Sequence, residues 1–222
     1  MKYGEIKKLD IANGPGVRVS LFVSGCTHHC PGCFNSSTWN FDFGFDYTQK
    51  VQKEVLESLA PEHVSGMTVL GGEPFEPSNQ RFLTGLLRTV KEKYPQKSIW
   101  IYSGYLFDKE IMPEKFGYLD NKGNVLKKIE KKAVYSEKFP SYPEENEVPV
   151  SGIGIHPETG RALRNTHCEV TDELVSYIDV LVDGPFIMSK KNLSLKFRGS
   201  ANQRLIDVAK SLERAEIVLW EK

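Results

Sequence analysis

The sequence predicts an α/β fold in which parallel strands carry helices on their outer side. Three observations favour this class. Short β-branched, apolar runs alternate with stretches whose apolar residues recur at helical spacing. Polar or glycine-rich turns separate the two kinds of segment. The chain has 222 residues, 40% of them hydrophobic, which is enough to bury one core. Because helices connect parallel strands, functional side chains should gather at the carboxyl ends of the strands.

The first half of the chain follows this order closely. A strand at 17–23 (VRVSLFV) enters a loop at 24–35, where glycine and proline exclude regular structure. A helix is predicted over 46–59, and a second buried strand over 66–70. That strand ends in GGEP at 71–74. Both the loop and GGEP therefore fall at the carboxyl ends of strands.

The same alternation continues through the chain. Ser78 is predicted to cap a helix that runs to about Tyr94 and is ended by Pro95. A third strand follows at 98–102, and a further buried strand is predicted within 177–186. These elements complete the predicted core of a single domain over residues 1–222.

The pattern breaks between about residues 113 and 168, where we predict an insertion. Turn signals (DNKG, PETG) and short β-prone pieces predict hairpins and loops in this region. Its apolar content is too low to predict a second domain. Two interpretations stay open: a docking surface for a partner protein, or a loop expansion without function.

The charge balance excludes some classes of partner. Basic and acidic residues number 29 each, so no basic surplus predicts binding to nucleic acid or to a membrane surface. We find no signal peptide and no apolar run long enough to span a bilayer. The sequence therefore predicts a cytoplasmic protein, where cysteines are more often metal ligands or catalytic groups than disulfides.

The densest group of reactive side chains lies in SGCTHHCPGCFN, which contains Cys26, Cys30 and Cys33. Their C-x3-C-x2-C spacing favours three corners of a 4Fe–4S cluster, with the fourth iron left open. A structural zinc site needs a fourth ligand, which could come only from His28, His29 or Cys168. We favour the cluster and leave both histidines out of the ligand set. Zinc remains open as the alternative.

These motifs together resemble a known family. C-x3-C-x2-C after the first strand and GGEP after the second are similar to the radical S-adenosylmethionine superfamily. NGPGVRVSLFVSGCTHHCPGCFNSSTW resembles its glycyl-radical-enzyme activating enzymes. DGPF and GSANQR narrow the resemblance to the members that activate anaerobic (class III) ribonucleotide reductase. The resemblance covers about residues 6–105 and 175–208, and the stretch at 113–168 departs from it.

The resemblance implies a fold and a reaction. The fold is a partial (β/α) barrel of the radical S-adenosylmethionine type, with a hairpin-rich insertion. The protein would be an oxidoreductase that uses a 4Fe–4S cluster and S-adenosylmethionine to make a 5′-deoxyadenosyl radical. This radical would abstract a glycine hydrogen from the catalytic subunit of anaerobic ribonucleotide reductase. The reductant would be a low-potential electron donor such as flavodoxin.

Two alternatives remain. The enzyme could act on another glycyl-radical enzyme or on a small molecule. Alternatively, the chain could be a zinc-binding interaction module.

The resemblance also assigns site residues. The iron ligands are Cys26, Cys30 and Cys33, and the expected cofactor-binding residues are Gly71, Gly72, Glu73, Ser103 and Asp183. The two glycines would let the backbone approach S-adenosylmethionine, and Glu73 would accept a hydrogen bond from its ammonium group. Ser103 and Asp183 would face the ligand from neighbouring strand ends. Phe34 and Trp39 flank the loop and are expected to shield it from solvent. No catalytic residue is assigned.

Overall fold

A computed structural model describes residues 1–116, 118–119, 125–126 and 154–221. Much of the predicted insertion at 113–168 lies outside the described residues. Two described parts of it form antiparallel pairings, between Tyr118–Leu119 and Val125–Leu126 and between Ile155 and Ala162. These pairings lie at the two turn signals, DNKG and PETG, that suggested hairpins.

A seven-stranded sheet in the order β3-β1-β2-β4-β5-β8-β9 forms the centre of the protein. The strands, with the separate β6–β7 pair, are β1 (Lys2–Asp10), β2 (Val17–Val23), β3 (Phe45–Asp46), β4 (Val64–Gly71), β5 (Ser98–Tyr102), β6 (Tyr118–Leu119), β7 (Val125–Leu126), β8 (Val180–Asp183) and β9 (Arg204–Asp207). The four central strands β2, β4, β5 and β8 are parallel, which confirms the predicted class. The outer strands pair antiparallel. The sheet is open, with no pairing between β3 and β9 in the described strands, so the partial barrel stays a prediction.

Helices connect the parallel strands. The α-helices are α1 (Gln49–Leu59), α2 (Pro77–Lys93), α3 (Pro113–Phe116), α4 (Thr171–Ser176) and α5 (Val208–Arg214), and Phe107–Ile111 forms a π-helix. The predicted cap at Ser78 is wrong. Glu76 precedes the helix and Pro77 begins it, because the fixed φ of proline suits the first helical turn. No helix among the described residues is long and apolar enough to cross a membrane.

Strand β1 was not predicted from the sequence. It pairs antiparallel with β2, but the register shifts between Tyr3 and Glu5 and again between Lys7 and Asp10. Each irregularity interrupts the two-residue alternation that marks a half-buried strand. The side chains of KYGEIKKLD therefore show no clean period, although the backbone is extended.

Apolar side chains fill the space between the sheet and the helices. Leu21, Val69, Leu87 and Ile101 are inaccessible to solvent and belong to one continuous cluster. The opposite face carries a smaller cluster around Trp100. Burial on both faces holds the central strands rigidly in place. Their carboxyl ends therefore form a fixed platform for the loops that follow.

Neighbouring strand ends deliver the predicted motifs to one edge. Val23 at the end of β2 pairs with Gly71 at the end of β4, and Tyr102 of β5 pairs with Val182 of β8. The cysteine loop, GGEP, Ser103 and Asp183 follow these positions directly. The predicted motifs therefore lie at the carboxyl ends of the parallel strands, and their function stays a prediction.

Candidate functional site

The cysteine loop, residues 24–35, leaves β2 with its three cysteines as free thiols. Cys26 is 7% exposed, whereas Cys30 and Cys33 are half-buried. The Cys26 N–H donates to the carbonyl of Trp39 at 3.0 Å, which fixes the start of the loop. The Cys33 N–H donates to the carbonyl of Cys30 at 3.1 Å and closes a tight turn. One cysteine is therefore buried at the strand end, and the other two lie nearer the surface.

The GGEP segment is hydrogen-bonded to this loop. The Gly72 N–H donates to the carbonyl of Val23, and the Glu73 N–H donates to that of Gly25, both at 2.7 Å. A Cβ atom at Gly72 would lie 2.4 Å from the Gly25 oxygen, and one at Gly71 would lie 2.7 Å from the Val23 oxygen. Both glycines are therefore required for packing between the two motifs. Their expected role towards a cofactor is additional to this one.

This close approach gives a test of the packing. Gly72→Ala should lower the free energy of unfolding by about 1–3 kcal/mol, because the new methyl group overlaps main-chain atoms that cannot rotate away. Gly85→Ala is the matched control, since its Cβ would meet nothing within 4 Å on α2. It should stabilise the protein by up to about 1 kcal/mol. Equal unfolding midpoints in urea for the two variants would contradict the packing role of Gly72.

Glu73 is buried, and three donors from its own chain hold its carboxylate. Its side chain is 1% exposed. Oε1 accepts hydrogen bonds from the Phe75 N–H at 2.8 Å and the Ser103 hydroxyl at 2.9 Å, and Oε2 accepts one from the Gly104 N–H at 2.7 Å. The structure thus brings together two predicted cofactor-binding residues, Glu73 and Ser103. The three donors hold the carboxylate in one orientation.

His28 lies against this carboxylate and was missed as a site residue. Its side chain is 3% exposed, and its Nε2 lies 3.2 Å from Glu73 Oε2, too poorly aligned for a hydrogen bond. Its ring packs 4.1 Å from that of Tyr105 and so close to Gly104 that a Cβ there would lie 2.6 Å away. Nδ1 has no hydrogen-bond partner in the part of the chain that the structure describes. The only sequence signal is its position two residues after Cys26.

A second buried carboxylate supports the start of the cysteine loop. Glu76, which is 6% exposed, accepts hydrogen bonds through Oε1 from the Thr27 N–H at 2.9 Å and the Thr27 hydroxyl at 2.6 Å. The Tyr105 hydroxyl donates to the same oxygen at 3.3 Å. Arg164 donates to the Thr27 hydroxyl at 3.0 Å from the outside. These contacts fix the residue that follows Cys26.

Asp183 lies at the expected strand end but is paired there. Arg204 donates to both of its carboxylate oxygens, and the Phe107 N–H donates to Oδ2 at 2.8 Å. Arg204 also contacts Asp108 at 2.7 Å. Burial raises the pKa of the Asp183 carboxyl, and the Arg204 charge opposes that change. These partners give Asp183 a structural role; contact with a ligand stays a prediction.

The C-terminal part of the predicted insertion, residues 154–168, is attached to the site. Arg161 donates to both carboxylate oxygens of Glu110 at 2.7 and 2.9 Å, and Glu110 is inaccessible to solvent. The same carboxylate accepts hydrogen bonds from the N–H groups of Leu106 and Arg164, each at 2.9 Å. Sequence reasoning did not single out this pair, since its members are 51 positions apart.

The two aromatic residues expected to shield the loop behave differently. Trp39 is half-buried and its ring lies 4.8 Å from that of His29. Phe34 is 68% exposed, and its expected role in shielding the loop from solvent stays a prediction. Its ring packs edge-on against that of Phe186, with the ring centroids 5.8 Å apart. Phe34 is therefore a largely exposed residue of the loop with an aromatic neighbour in the segment that follows β8.

Two of the thiols favour their protonated form when no positive partner is bound. Burial and the nearby Glu73 carboxylate raise the pKa of the Cys26 thiol well above its usual range, and burial also raises that of Cys30. A thiolate there needs a positive partner such as a metal. Within the described ranges, no three His, Cys, Asp or Glu side chains converge on a single ion. A 4Fe–4S cluster would bind each cysteine at a different iron, whereas zinc would need its ligands on one metal. We keep the cluster as the interpretation.

Comparison with known families agrees with this interpretation. The family described as "4Fe-4S single cluster domain" matches residues 12–134 and 154–206. The match includes the cysteine loop, GGEP and the strand ends that carry Ser103 and Asp183. It is interrupted only between 134 and 154, inside the predicted insertion.

Curated relatives carry one common name, anaerobic ribonucleoside-triphosphate reductase-activating protein. The protein from Vibrio cholerae is 30% identical over 208 residues, covering 91% of this chain and 96% of its own. The Escherichia coli K12 protein is 29% identical over 205 residues, with the same coverage. The phage T4 protein is 41% identical over 120 residues, which make up 54% of this chain and 77% of the phage protein. The phage protein is thus the shorter of the two chains.

Proposed function

The chain belongs to the family of anaerobic ribonucleoside-triphosphate reductase-activating proteins, and from that premise we propose that it activates an anaerobic ribonucleotide reductase. The match to the cluster family and the 30% identity to the Vibrio cholerae protein over nearly the whole chain support this function. The partner would be the catalytic subunit of the reductase. We keep the cytoplasmic location and the radical S-adenosylmethionine partial barrel as parts of the proposal.

We further propose a radical reaction. Cys26, Cys30 and Cys33 would hold a 4Fe–4S cluster, which would supply the electron for reductive cleavage of S-adenosylmethionine to methionine and a 5′-deoxyadenosyl radical. The radical would take a hydrogen atom from a glycine Cα of the reductase to give 5′-deoxyadenosine, and a glycyl radical would remain on the reductase. The enzyme would then be an oxidoreductase.

The protein's own residues position and enclose these groups. The hydrogen bonds from Gly72 and Glu73 to the cysteine loop keep the metal ligands and the cofactor segment in register. Glu73 presents a fixed, buried negative charge beneath the loop, and its main-chain and Ser103 donors prevent it from turning away. A buried carboxylate attracts a cation such as the ammonium group of S-adenosylmethionine. We therefore keep Glu73 and Ser103 in the proposed cofactor site.

One observation carries this proposal: three free cysteines lie in a single loop, and the Gly25 carbonyl of that loop accepts a hydrogen bond from the N–H of Glu73, whose carboxylate is buried and held in one orientation. The test is anaerobic reconstitution with iron and sulfide, followed by incubation with S-adenosylmethionine, a reductant and the reductase. We expect 5′-deoxyadenosine by chromatography and a glycyl radical by electron paramagnetic resonance. A protein that binds a cluster but forms neither product would contradict the radical reaction. Stoichiometric zinc without iron would favour the interaction module.

Removal of the Glu73 charge should separate cofactor binding from cluster assembly. Glu73→Gln keeps the shape of the side chain but places an amide NH2 group among the donors that now face the carboxylate. We expect the affinity for S-adenosylmethionine to fall about ten- to hundredfold, since a charge-assisted hydrogen bond contributes about 1.5–3 kcal/mol. Iron content should stay unchanged. Calorimetric titration of the cluster-loaded protein measures the affinity, with the exposed Glu57→Gln on α1 as control.

A further inference from the structure

The segment that follows β8, residues 184–203, packs on the outer side of the cysteine loop. A Cβ atom at Gly32 of the loop would lie 3.7 Å from the Cε1 atom of Phe186. Met188 lies so close to Gly32 that a Cβ atom there would be 2.0 Å from the Met188 Cε. This segment therefore borders the side of the loop where the cysteines are least buried.

The cysteine loop and this segment together form an exposed apolar surface that also carries a lysine. We call Phe34, Phe186, Met188 and Lys191 the cluster-side patch. Phe34 is 68% and Met188 50% exposed, and the ring of Phe186 lies 5.8 Å from that of Phe34. Lys191 Nζ lies 4.8 Å from the centroid of the Phe34 ring. Exposed apolar side chains beside a ligand loop are typical of a surface that meets a partner.

The charge of this segment predicts the charge of the partner. Residues 184–203 contain four basic residues and no acidic one, although the whole chain has 29 of each sign. Lys190 is partly neutralised by Glu158 at 2.6 Å. Lys191 and Lys196 are exposed and form no ion pair with any carboxylate in the described part of the chain. The segment is therefore complementary to an acidic surface.

We propose that the cluster-side patch docks an acidic electron-transfer protein that reduces the cluster. The inference rests on the proposed function, which needs one electron for each turnover. Phe34 follows the ligand Cys33 directly in the chain, so a donor on this patch lies next to the metal ligands. A small apolar surface on a basic segment suits a transient redox complex, which buries little area and depends on electrostatic steering. A flavin hydroquinone on the donor would lose one electron to become the semiquinone, and the oxidised cluster would gain it.

The test uses a flavodoxin hydroquinone as the probe. Reduction of the cluster-loaded protein is followed by loss of cluster absorbance in a stopped-flow instrument. We expect the Lys191→Glu/Lys196→Glu variant to be reduced about tenfold more slowly than the unaltered protein at low ionic strength. Added salt should shrink this difference, since it screens exposed charges. The dissociation constant of oxidised flavodoxin, measured by fluorescence titration, should rise about tenfold as well.

Two controls make the result specific to the patch. Lys93→Glu reverses an exposed charge at the far end of α2, which runs about 25 Å from GGEP to the opposite edge of the sheet. It should leave the rate unchanged. Photoreduced deazaflavin is a small reductant that needs no docking surface, so it should reduce the double variant as fast as the unaltered protein.

Three results would overturn the inference. The double variant and the unaltered protein could accept electrons from flavodoxin at the same rate. Lys93→Glu could slow the reaction as much as the double variant does. Alternatively, the double variant could lose affinity only for the reductase, which would make the patch the docking site of that protein. Failure of the proposed function is distinct, because the unaltered protein would then form no 5′-deoxyadenosine even with photoreduced deazaflavin.

Discussion

Replacement of Cys26, Cys30 or Cys33 by alanine is expected to abolish cleavage of S-adenosylmethionine. The iron content should fall from about four atoms per chain to a small fraction of that number. Each thiolate would hold a different iron, so removal of one opens a corner that no described side chain is placed to fill. His28 is the nearest candidate substitute, but its imidazole is packed against Tyr105 beneath the loop. Iron and sulfide analysis after anaerobic reconstitution measures the effect. Full iron content and full turnover in any one variant would refute the ligand assignment.

Cys168→Ser is the matched control for these variants. Cys168 is also buried, at 5% exposure, but its sulfur lies 3.5 Å from Gln80 Oε1 and from the Thr171 hydroxyl, in a network between α2 and α4. Serine can make the same contacts. Iron content and cleavage should therefore stay at the level of the unaltered protein. A large loss of iron from a folded Cys168→Ser variant would show that the ligand set is incomplete.

Glu110→Gln is expected to lower the free energy of unfolding by about 3–5 kcal/mol, the range for breaking a buried ion pair. The carboxylate is inaccessible to solvent and accepts four hydrogen bonds, two from Arg161 and one each from the Leu106 and Arg164 N–H groups. A glutamine presents one acceptor oxygen and turns its NH2 group against the remaining donors. The partly buried Arg161 loses its counter-charge as well. Urea unfolding with a global fit measures the difference.

Glu173→Gln makes the same change in an exposed ion pair. Glu173 is 40% exposed and pairs with Arg88 on the surface of α2. Exposed pairs contribute little because water screens them, so the loss should be much smaller than in Glu110→Gln. Equal losses in the two variants would contradict a special role for Glu110. A large loss in Glu110→Gln alone would show that residues 154–168 are part of the folded core.

The helices and central strands could be predicted because their signals are local. The strands at 17–23 and 98–102 agree with the predictions residue for residue, and the second strand extends two residues before and one residue after its predicted bounds. Burial on both faces leaves these strands almost wholly apolar, which makes them easy to recognise. The strand predicted within 177–186 occupies Val180–Asp183, and Pro185 follows soon after it. The irregular β1 was missed, since its pairing depends on β2 and on no periodic pattern of its own.

The site could be predicted as far as the reactive residues cluster in sequence. The cysteine spacing and GGEP can each be recognised from the local sequence. The order of the strands then places both motifs at the carboxyl edge of the sheet. The partners of the buried charges could not be predicted. Glu73 accepts hydrogen bonds from Ser103 and Gly104, and Asp183 accepts one from Arg204. These partners meet because the chain returns three times to the same edge of the sheet. Sequence separation hides such contacts, since many polar residues could satisfy the same carboxylate.

By itself the sequence determined the parallel α/β core, the cysteine loop with its three thiols, and the placement of that loop beside GGEP. These follow from short-range patterns, which fix local geometry whatever the rest of the chain does. Only the tertiary structure decided which charges are paired and which are left exposed. In the fold, Glu110 is paired with Arg161 and His28 is buried beside Glu73. Phe34 and Lys191 lie on the surface. The physical reason is desolvation. A buried charge is costly unless an opposite charge or a hydrogen-bond donor lies beside it in the fold, whereas the same residue at the surface is solvated by water.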